Sequence, residues 1–277
     1  MQGRIVKLIS NDYTVLANNK LYVCKSRGKF RNMNISPLVG DLVLFDFENN
    51  YIMEVKPRKN SLVRPPICNV DQAVIITSVK QPDFSTNLLD KLLVIIEFNN
   101  IKPIICITKM DLLEENEIDS ITEQIDYYRK IGYEVYFNTE IEKIKNLFKD
   151  KITVFTGQSG AGKSTLLNSL DENLNIKTND ISLALGRGKH TTRHVELIPL
   201  FDGLVADTPG FSAISFHDMT NSDIRDNFIE FNQYRHHCKY KDCMHQNEDD
   251  CKIKNMVDDN TILKTRYENY LKFITKR

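Results

Sequence analysis

Gly157-Gln158-Ser159-Gly160-Ala161-Gly162-Lys163-Ser164 is the stretch on which the fold turns. It fits G-x-x-x-x-G-K-[ST]. An apolar run at 152–156 precedes it and reads as a strand, and 165–170 reads as the start of a helix. That strand, loop and helix are the context a phosphate loop requires. The glycines permit positive φ and turn successive backbone N–H groups into one cavity. The helix behind adds the positive end of its dipole. On this reading Lys163 reaches the β- and γ-phosphates, the Ser164 hydroxyl ligates Mg²⁺, and Thr165 completes the cradle. A glycine-rich turn before an ordinary helix is the bland alternative, and spacing and context weigh against it.

Outward toward the C-terminus, Asp207-Thr208-Pro209-Gly210 follows a short apolar strand at 204–206. An Asp there can hold the Mg²⁺ shell through water, and the Gly210 N–H can sense the γ-phosphate. Alone the tetrapeptide could be a proline turn. Toward the N-terminus, Thr108-Lys109-Met110-Asp111 closes an apolar strand at 103–108. A carboxylate at Asp111 can accept from the N1–H and exocyclic amine of guanine. Adenine offers no matching pair of donors, and leaving a buried polar group unmatched rejects the wrong base by orders of magnitude. The Lys109 stem can lie over the base. Each motif is weak in isolation. Together they describe a guanine nucleotide pocket and speak against an ATPase or kinase.

The rest of the chain organises around these loops. Residues 1–56 alternate β-like runs with turn residues, at 3–9, 13–17, 20–24, 41–47 and 51–55, the pattern of a small OB-fold-like barrel. Pro57, Pro65 and Pro66 mark a linker. From Asp71 strands alternate with helical runs, which predicts a parallel sheet covered on both faces. Beyond Asp218 the chain is polar, helical at its end, and bears cysteines and histidines. The expected fold class is therefore multidomain α/β. An OB-fold-like β-barrel spans 1–64, a P-loop GTPase domain with permuted motif order spans 65–217, and a zinc-binding helical module spans 218–277.

The 277 residues carry 37 Lys/Arg and 37 Asp/Glu, so net charge alone argues neither for nor against nucleic acid. Its distribution says more: residues 1–64 hold 11 Lys/Arg against 5 Asp/Glu, a surplus that hints at a polyanionic partner. Lys25, Arg27, Lys29 and Arg31 alternate around Phe30, a pattern suited to an RNA-contacting cationic groove with an aromatic platform. Arg235, His236, His237, Lys239 and Lys241 form a second basic stretch. Either could be a solvated face. No apolar run is long enough to span a bilayer, and the N-terminus has no apolar leader, so a cytoplasmic monomer without membrane contact is expected.

Six cysteines divide in two. Cys24, Cys68 and Cys106 sit singly in apolar contexts and read as buried hydrophobes. Cys238-x4-Cys243-x-His245-x5-Cys251 offers three thiolates and one imidazole, which suits one closed structural Zn²⁺. His236 and His237 are adjacent alternatives for the imidazole. A segment this polar has little apolar surface of its own, which makes metal the economical explanation.

The motif order is inverted relative to an ordinary GTPase, because the base motif precedes the phosphate loop. That permuted order, the β-module before it, the Cys/His cluster after it, and the strings 186–194 (GRGKHTTRH) and 204–211 (LVADTPGF) resemble the ribosome small subunit-dependent GTPase A family (RsgA). The resemblance covers essentially the whole chain. It implies GTP hydrolysis stimulated by the small ribosomal subunit, contact with its rRNA, GTP and GDP as ligands, and a role in late maturation of that subunit. It favours His245 in the zinc set. It makes 186–194 the first switch loop, where Thr191 or Thr192 caps Mg²⁺ and the γ-phosphate. The usual water-orienting Gln is replaced by Phe211, so turnover should need help from elsewhere. His190 is a candidate for that catalytic role, and a solvated histidine is the alternative. The competing function is a GTP-dependent switch that binds a protein partner.

Overall fold

The computed structural model describes residues 1–28, 30, 36–63, 65–171, 174, 195–207 and 215–275. Strands with one apolar face come first: β1 (Gln2–Ile9), β2 (Asp12–Ala17), β3 (Lys20–Ser26), β4 (Leu42–Asp46) and β5 (Tyr51–Val55). They pair in the order β1-β2-β3-β5-β4, and β4 returns to β1, so the sheet closes into a five-stranded barrel. Closure removes the free edges and puts Ile5, Val15, Cys24, Val43, Phe45 and Ile52 fully inside. Asn18 and Asn19, both at left-handed φ (48° and 58°), make the two-residue turn that sets the β2–β3 register. Phe30 is 4% exposed. It belongs to the barrel core and is not the aromatic platform that the sequence suggested. The proline-punctuated stretch that follows forms a short hairpin of β6 (Ser61–Leu62) and β7 (Ile67–Cys68).

The central layer is a doubly wound sheet. Its elements are β8 (Gln72–Ser78), α1 (Thr86–Phe98), β9 (Lys102–Thr108), α2 (Glu115–Lys130), β10 (Glu134–Phe137), α3 (Ile141–Asn146), β11 (Ile152–Gly157), α4 (Lys163–Leu170), β12 (Glu196–Leu200) and β13 (Gly203–Asp207). The strand order is β10-β9-β8-β11-β13-β12. The first five are parallel, and the interior ones are apolar along their length because both faces are covered. β12 departs from the all-parallel expectation: it returns antiparallel to β13 through Phe201 and Asp202, both at positive φ (53° and 57°). Gly203 is required at the end of that turn, since a Cβ there would lie 2.0 Å from the Phe148 carbonyl oxygen. β12 then pairs with β1 at Lys7↔Glu196, so one hydrogen-bonded sheet runs from the central layer into the barrel.

The C-terminal module contains α5 (Asn221–Asp226), α6 (Ile229–Tyr234), α7 (Lys252–Asp258) and α8 (Lys264–Thr275). Its apolar core is larger than its polarity implied. Ile224, Phe228, Phe231, Ile253, Ile262 and Tyr270 are fully buried together, and α1 contributes Val94 and Ile95 to the same core. The apolar residues recur at helical spacing among polar ones, so a segment polar on average still builds a core.

Charge is buried at this junction as well. Arg266 of α8 donates to both carboxylate oxygens of Glu230 on α6, at 2.8 and 2.7 Å, and to Asp90 of α1 at 2.7 Å. Asp90 also accepts from the Tyr128 hydroxyl at 2.6 Å and from the Asn269 amide at 2.7 Å. The guanidinium lies 4.7 Å from the centre of the Phe228 ring. Asp90, Glu230 and Arg266 are at most 1% exposed. Burial pushes the Asp90 carboxyl up, while the neighbouring Arg266 charge and these hydrogen bonds oppose that shift. No helix among the described residues is long and apolar enough to cross a membrane.

Candidate functional site

The sheet itself says where a ligand should bind. From β8 the chain winds outward to β9 and β10, and from β11 it winds the other way to β13. The order reverses between β8 and β11, and in open α/β sheets the crevice beyond the carboxyl ends of such a pair is the ligand site. The phosphate loop leaves the end of β11 at this point. Gly157, Gly160 and Gly162 have φ of 130°, 79° and 95°, which other residues rarely adopt. A Cβ on Gly157 would lie 2.1 Å from the Ile76 carbonyl oxygen of β8, so the loop is seated against the neighbouring strand. Gly162 caps α4 in the left-handed region, with Lys163 and Ser164 half-buried in the first turn and Ser159, Gly160 and Thr165 exposed.

The base motif reaches the same crevice from β9. The Thr108 hydroxyl donates to the Ala161 carbonyl at 2.6 Å, a buried bond that ties the first residue of the motif to the phosphate loop. Lys109 adopts φ 63° and its ammonium donates to the Gln81 carbonyl oxygen. A 3-10 turn, Met110–Leu112, then presents Asp111 to solvent. Asp207 ends β13, on the other side of β11 from β8. The structure thus brings the 108–111 and 157–165 motifs together. His190, Thr191, Thr192 and Gly210 lie outside the described residues, as do Phe211, Lys29 and Arg31.

Sequence reasoning missed the loop after β8. Gln81 receives the Lys109 ammonium, and Pro82 lies 3.9 Å from where a Gly160 side chain would begin. The signal was a Pro just beyond an apolar strand, next to nothing else of note. Of the basic barrel stretch, Lys25 and Arg27 are exposed, and they line a 460 Å³ surface hollow with Ser10, Asn11, Asp12, Ser26 and Gly28.

The second site is the Cys/His cluster. Cys238, Cys243, His245 and Cys251 each place one ligand atom within 4.8 Å of the others. His245 Nδ1 lies 3.3 Å from Cys251 Sγ and 3.7 Å from Cys238 Sγ. Zinc–ligand lengths of about 2.0–2.3 Å give tetrahedral edges of about 3.5 Å, so the spacing fits zinc. His236 and His237 are not part of the cluster. Burial drives the Cys243 thiol up to about 12 and the His245 imidazole down to about 4. An imidazole and three thiols form a donor set compatible with a divalent metal. Outer contacts fix the loop: the Glu248 carboxylate accepts from Met244 and Gln246 N–H at 2.6 and 2.7 Å, and the Tyr267 hydroxyl donates to the His245 carbonyl at 2.6 Å.

Comparison with known proteins agrees with this geometry. A family model for the RsgA GTPase matches residues 55–217, and one for the RsgA N-terminal domain matches 2–52. The "small ribosomal subunit biogenesis GTPase RsgA" of Enterococcus faecalis is 50% identical over 280 residues, covering 99% of this chain and 94% of that relative. The protein of the same name from Bacillus subtilis is 48% identical over 288 residues, covering 99% and 97%. Among solved structures, YloQ, described as a circularly permuted GTPase, superposes with TM-score 0.86 at 43% identity, over 99% of this chain and 94% of that one. YjeQ from Thermotoga maritima gives TM-score 0.86 at 34% identity, over 99% and 97%.

Proposed function

The chain belongs to the RsgA GTPase family, and on that premise we propose that it hydrolyses GTP in the maturation of the small ribosomal subunit, stimulated by contact with that subunit and its rRNA. The observation that carries the nucleotide part is the Thr108–Ala161 hydrogen bond, which makes a base reader and a phosphate cradle from distant parts of the chain into one pocket. Backbone amides of 157–162 and the Lys163 ammonium hold the β- and γ-phosphates, while Asp111 accepts from the guanine edge and Lys109 flanks the base. Mg²⁺ bound with GTP neutralises phosphate charge, and Ser164 and Asp207 are the residues that would hold it. Thr191 or Thr192 closes over the γ-phosphate, and the Gly210 N–H senses it.

Phe211 cannot orient water by hydrogen bonding, so His190 takes that role once the subunit positions it. His190→Ala should abolish stimulated turnover with little change in GTP affinity, and full stimulated activity in the variant would reject the role. One structural Zn²⁺ occupies Cys238, Cys243, His245 and Cys251. The protein acts as a cytoplasmic monomer, and Lys25 and Arg27 of the barrel contact rRNA phosphates.

The testing experiment measures GTP hydrolysis with and without purified small subunits, at low and raised salt. Stimulation that weakens steeply with salt is expected for phosphate contacts. No stimulation at any salt, or stimulation by a protein partner alone, would replace this reading with that of a protein-binding switch.

A further inference from the structure

One feature of the module junction is absorbed neither by the nucleotide pocket nor by the metal site. A groove of 810 Å³ opens between α1, α8 and the 3-10 turn Phe216–Asp218. Its lining is Asn87 and Lys91 from α1, Ser215, Phe216 and His217 from the turn, and Lys272 and Phe273 from α8. The volume lies within the range that takes a small ligand or a nucleotide.

The chemistry of the walls is lopsided. Lys91, His217 and Lys272 are basic, and among the described residues no carboxylate lines the groove. Neither Lys91 nor Lys272 forms an ion pair among the described residues, although the molecule pairs Lys7, Lys56, Lys59, Lys80 and Lys102 with acids. Beside Lys91 stands a half-buried ring. Phe216 packs 5.0 Å from Phe273, and the Lys91 ammonium sits 5.7 Å from its centre. Unpaired ammonium groups beside an aromatic wall form the arrangement by which proteins take single-stranded nucleic acid, with cations on the phosphates and a ring under base or ribose. An acidic peptide would also satisfy the charge, but it makes no particular use of a flat ring beside a cation. The floor is tied together: Asp90, Arg266 and Asn269 link α1 to α8, and Asn87 donates to Asn269 at 3.0 Å.

We propose that this groove binds a single-stranded RNA segment, with Lys91 and Lys272 on its phosphates and Phe216 against a base or ribose. The proposal rests on the reading that the protein works on the small subunit, and it adds an RNA contact at the junction between the GTPase layer and the metal module.

The test uses the full chain and the double variant Lys91→Gln/Lys272→Gln, with two probes: purified small subunits and a short fluorescent single-stranded RNA. Unstimulated GTP hydrolysis should be unchanged, which reports an intact fold. Binding of both probes should weaken about tenfold, and the slope of log affinity against log salt should shrink by about 1.4 for two lost phosphate contacts to a single strand. Unchanged affinity and slope for the RNA probe would overturn the groove as its site. If wild type ignores the subunits, the functional reading fails, and the RNA probe still decides the groove by itself. A photoreactive benzophenone side chain in place of His217 gives the direct readout. Adducts with ribosomal RNA are expected, and adducts with protein alone would overturn the proposal in favour of a peptide site.

Discussion

The barrel and the C-terminal module are both attached to the GTPase layer, by opposite physics. The barrel is joined through backbone and a shared apolar core: β1 pairs with β12, and one cluster of buried side chains runs from Ile5 and Val15 to Ile75 and Leu197. The charged contacts at that joint, Lys7–Glu196 and Lys59–Asp71, are partly exposed. The module is joined through a few fully buried charges around Arg266, set in an apolar core that α1 shares. A joint spread over many small contacts loses little when one is removed. A joint focused on a buried ion network fails as a unit, because each partner left behind is a buried charge without compensation.

The largest effect should therefore come from Arg266→Ala. It strands Asp90 and Glu230 and should cost about 3–5 kcal/mol in chemical denaturation. A loss near 1 kcal/mol would mean that the network is solvated and the contrast false. Zinc removal should come next. Chelation should expose amides over 238–251 to hydrogen exchange, while α6 and α8 keep protection from the core of Phe228, Phe231 and Tyr270. Collapse of the whole module would show that the metal, and not the apolar core, holds it. Thr108→Ala should be milder for stability, about 1 kcal/mol, but should weaken GTP binding by loosening the phosphate loop. Calorimetry separates the two readouts. Smallest of all, Lys7→Ala should change stability by less than about 1 kcal/mol. A larger loss would show that the barrel joint is focused as well.

The same contrast explains what could be read from the sequence. The barrel strands and the parallel sheet were legible because backbone pairing imprints a periodicity on every residue: alternation in β1–β5, and unbroken apolar runs in β8, β9 and β11. The phosphate loop was legible because its function requires glycines at fixed spacing. The Cys/His cluster was legible because its members crowd into 14 residues, from Cys238 to Cys251. Networks of distant side chains leave no such imprint. Asp90 interrupts the apolar run of α1, and that single charge was the available hint. Nothing in sequence links it to Glu230 or Arg266. The reversal of β12 was hidden for a different reason, since Phe201-Asp202 is not one of the glycine or asparagine pairs that usually announce a two-residue turn. The core of the module was underestimated because average polarity hides spacing.

Nucleotide choice depends most on Asp111 reading guanine in a pocket whose phosphate cradle lies 46 residues later in the chain at Gly157. The direct measurement is the affinity of wild type and Asp111→Asn for GTP, ATP and xanthosine triphosphate. Xanthine carries a carbonyl where guanine carries its exocyclic amine, so it matches an amide donor in place of a carboxylate acceptor. Wild type should bind GTP and reject ATP, and the variant should lose GTP by about a hundredfold or more while gaining the xanthosine nucleotide. Equal binding of ATP and GTP by wild type, or GTP affinity untouched in the variant, would contradict that role of Asp111.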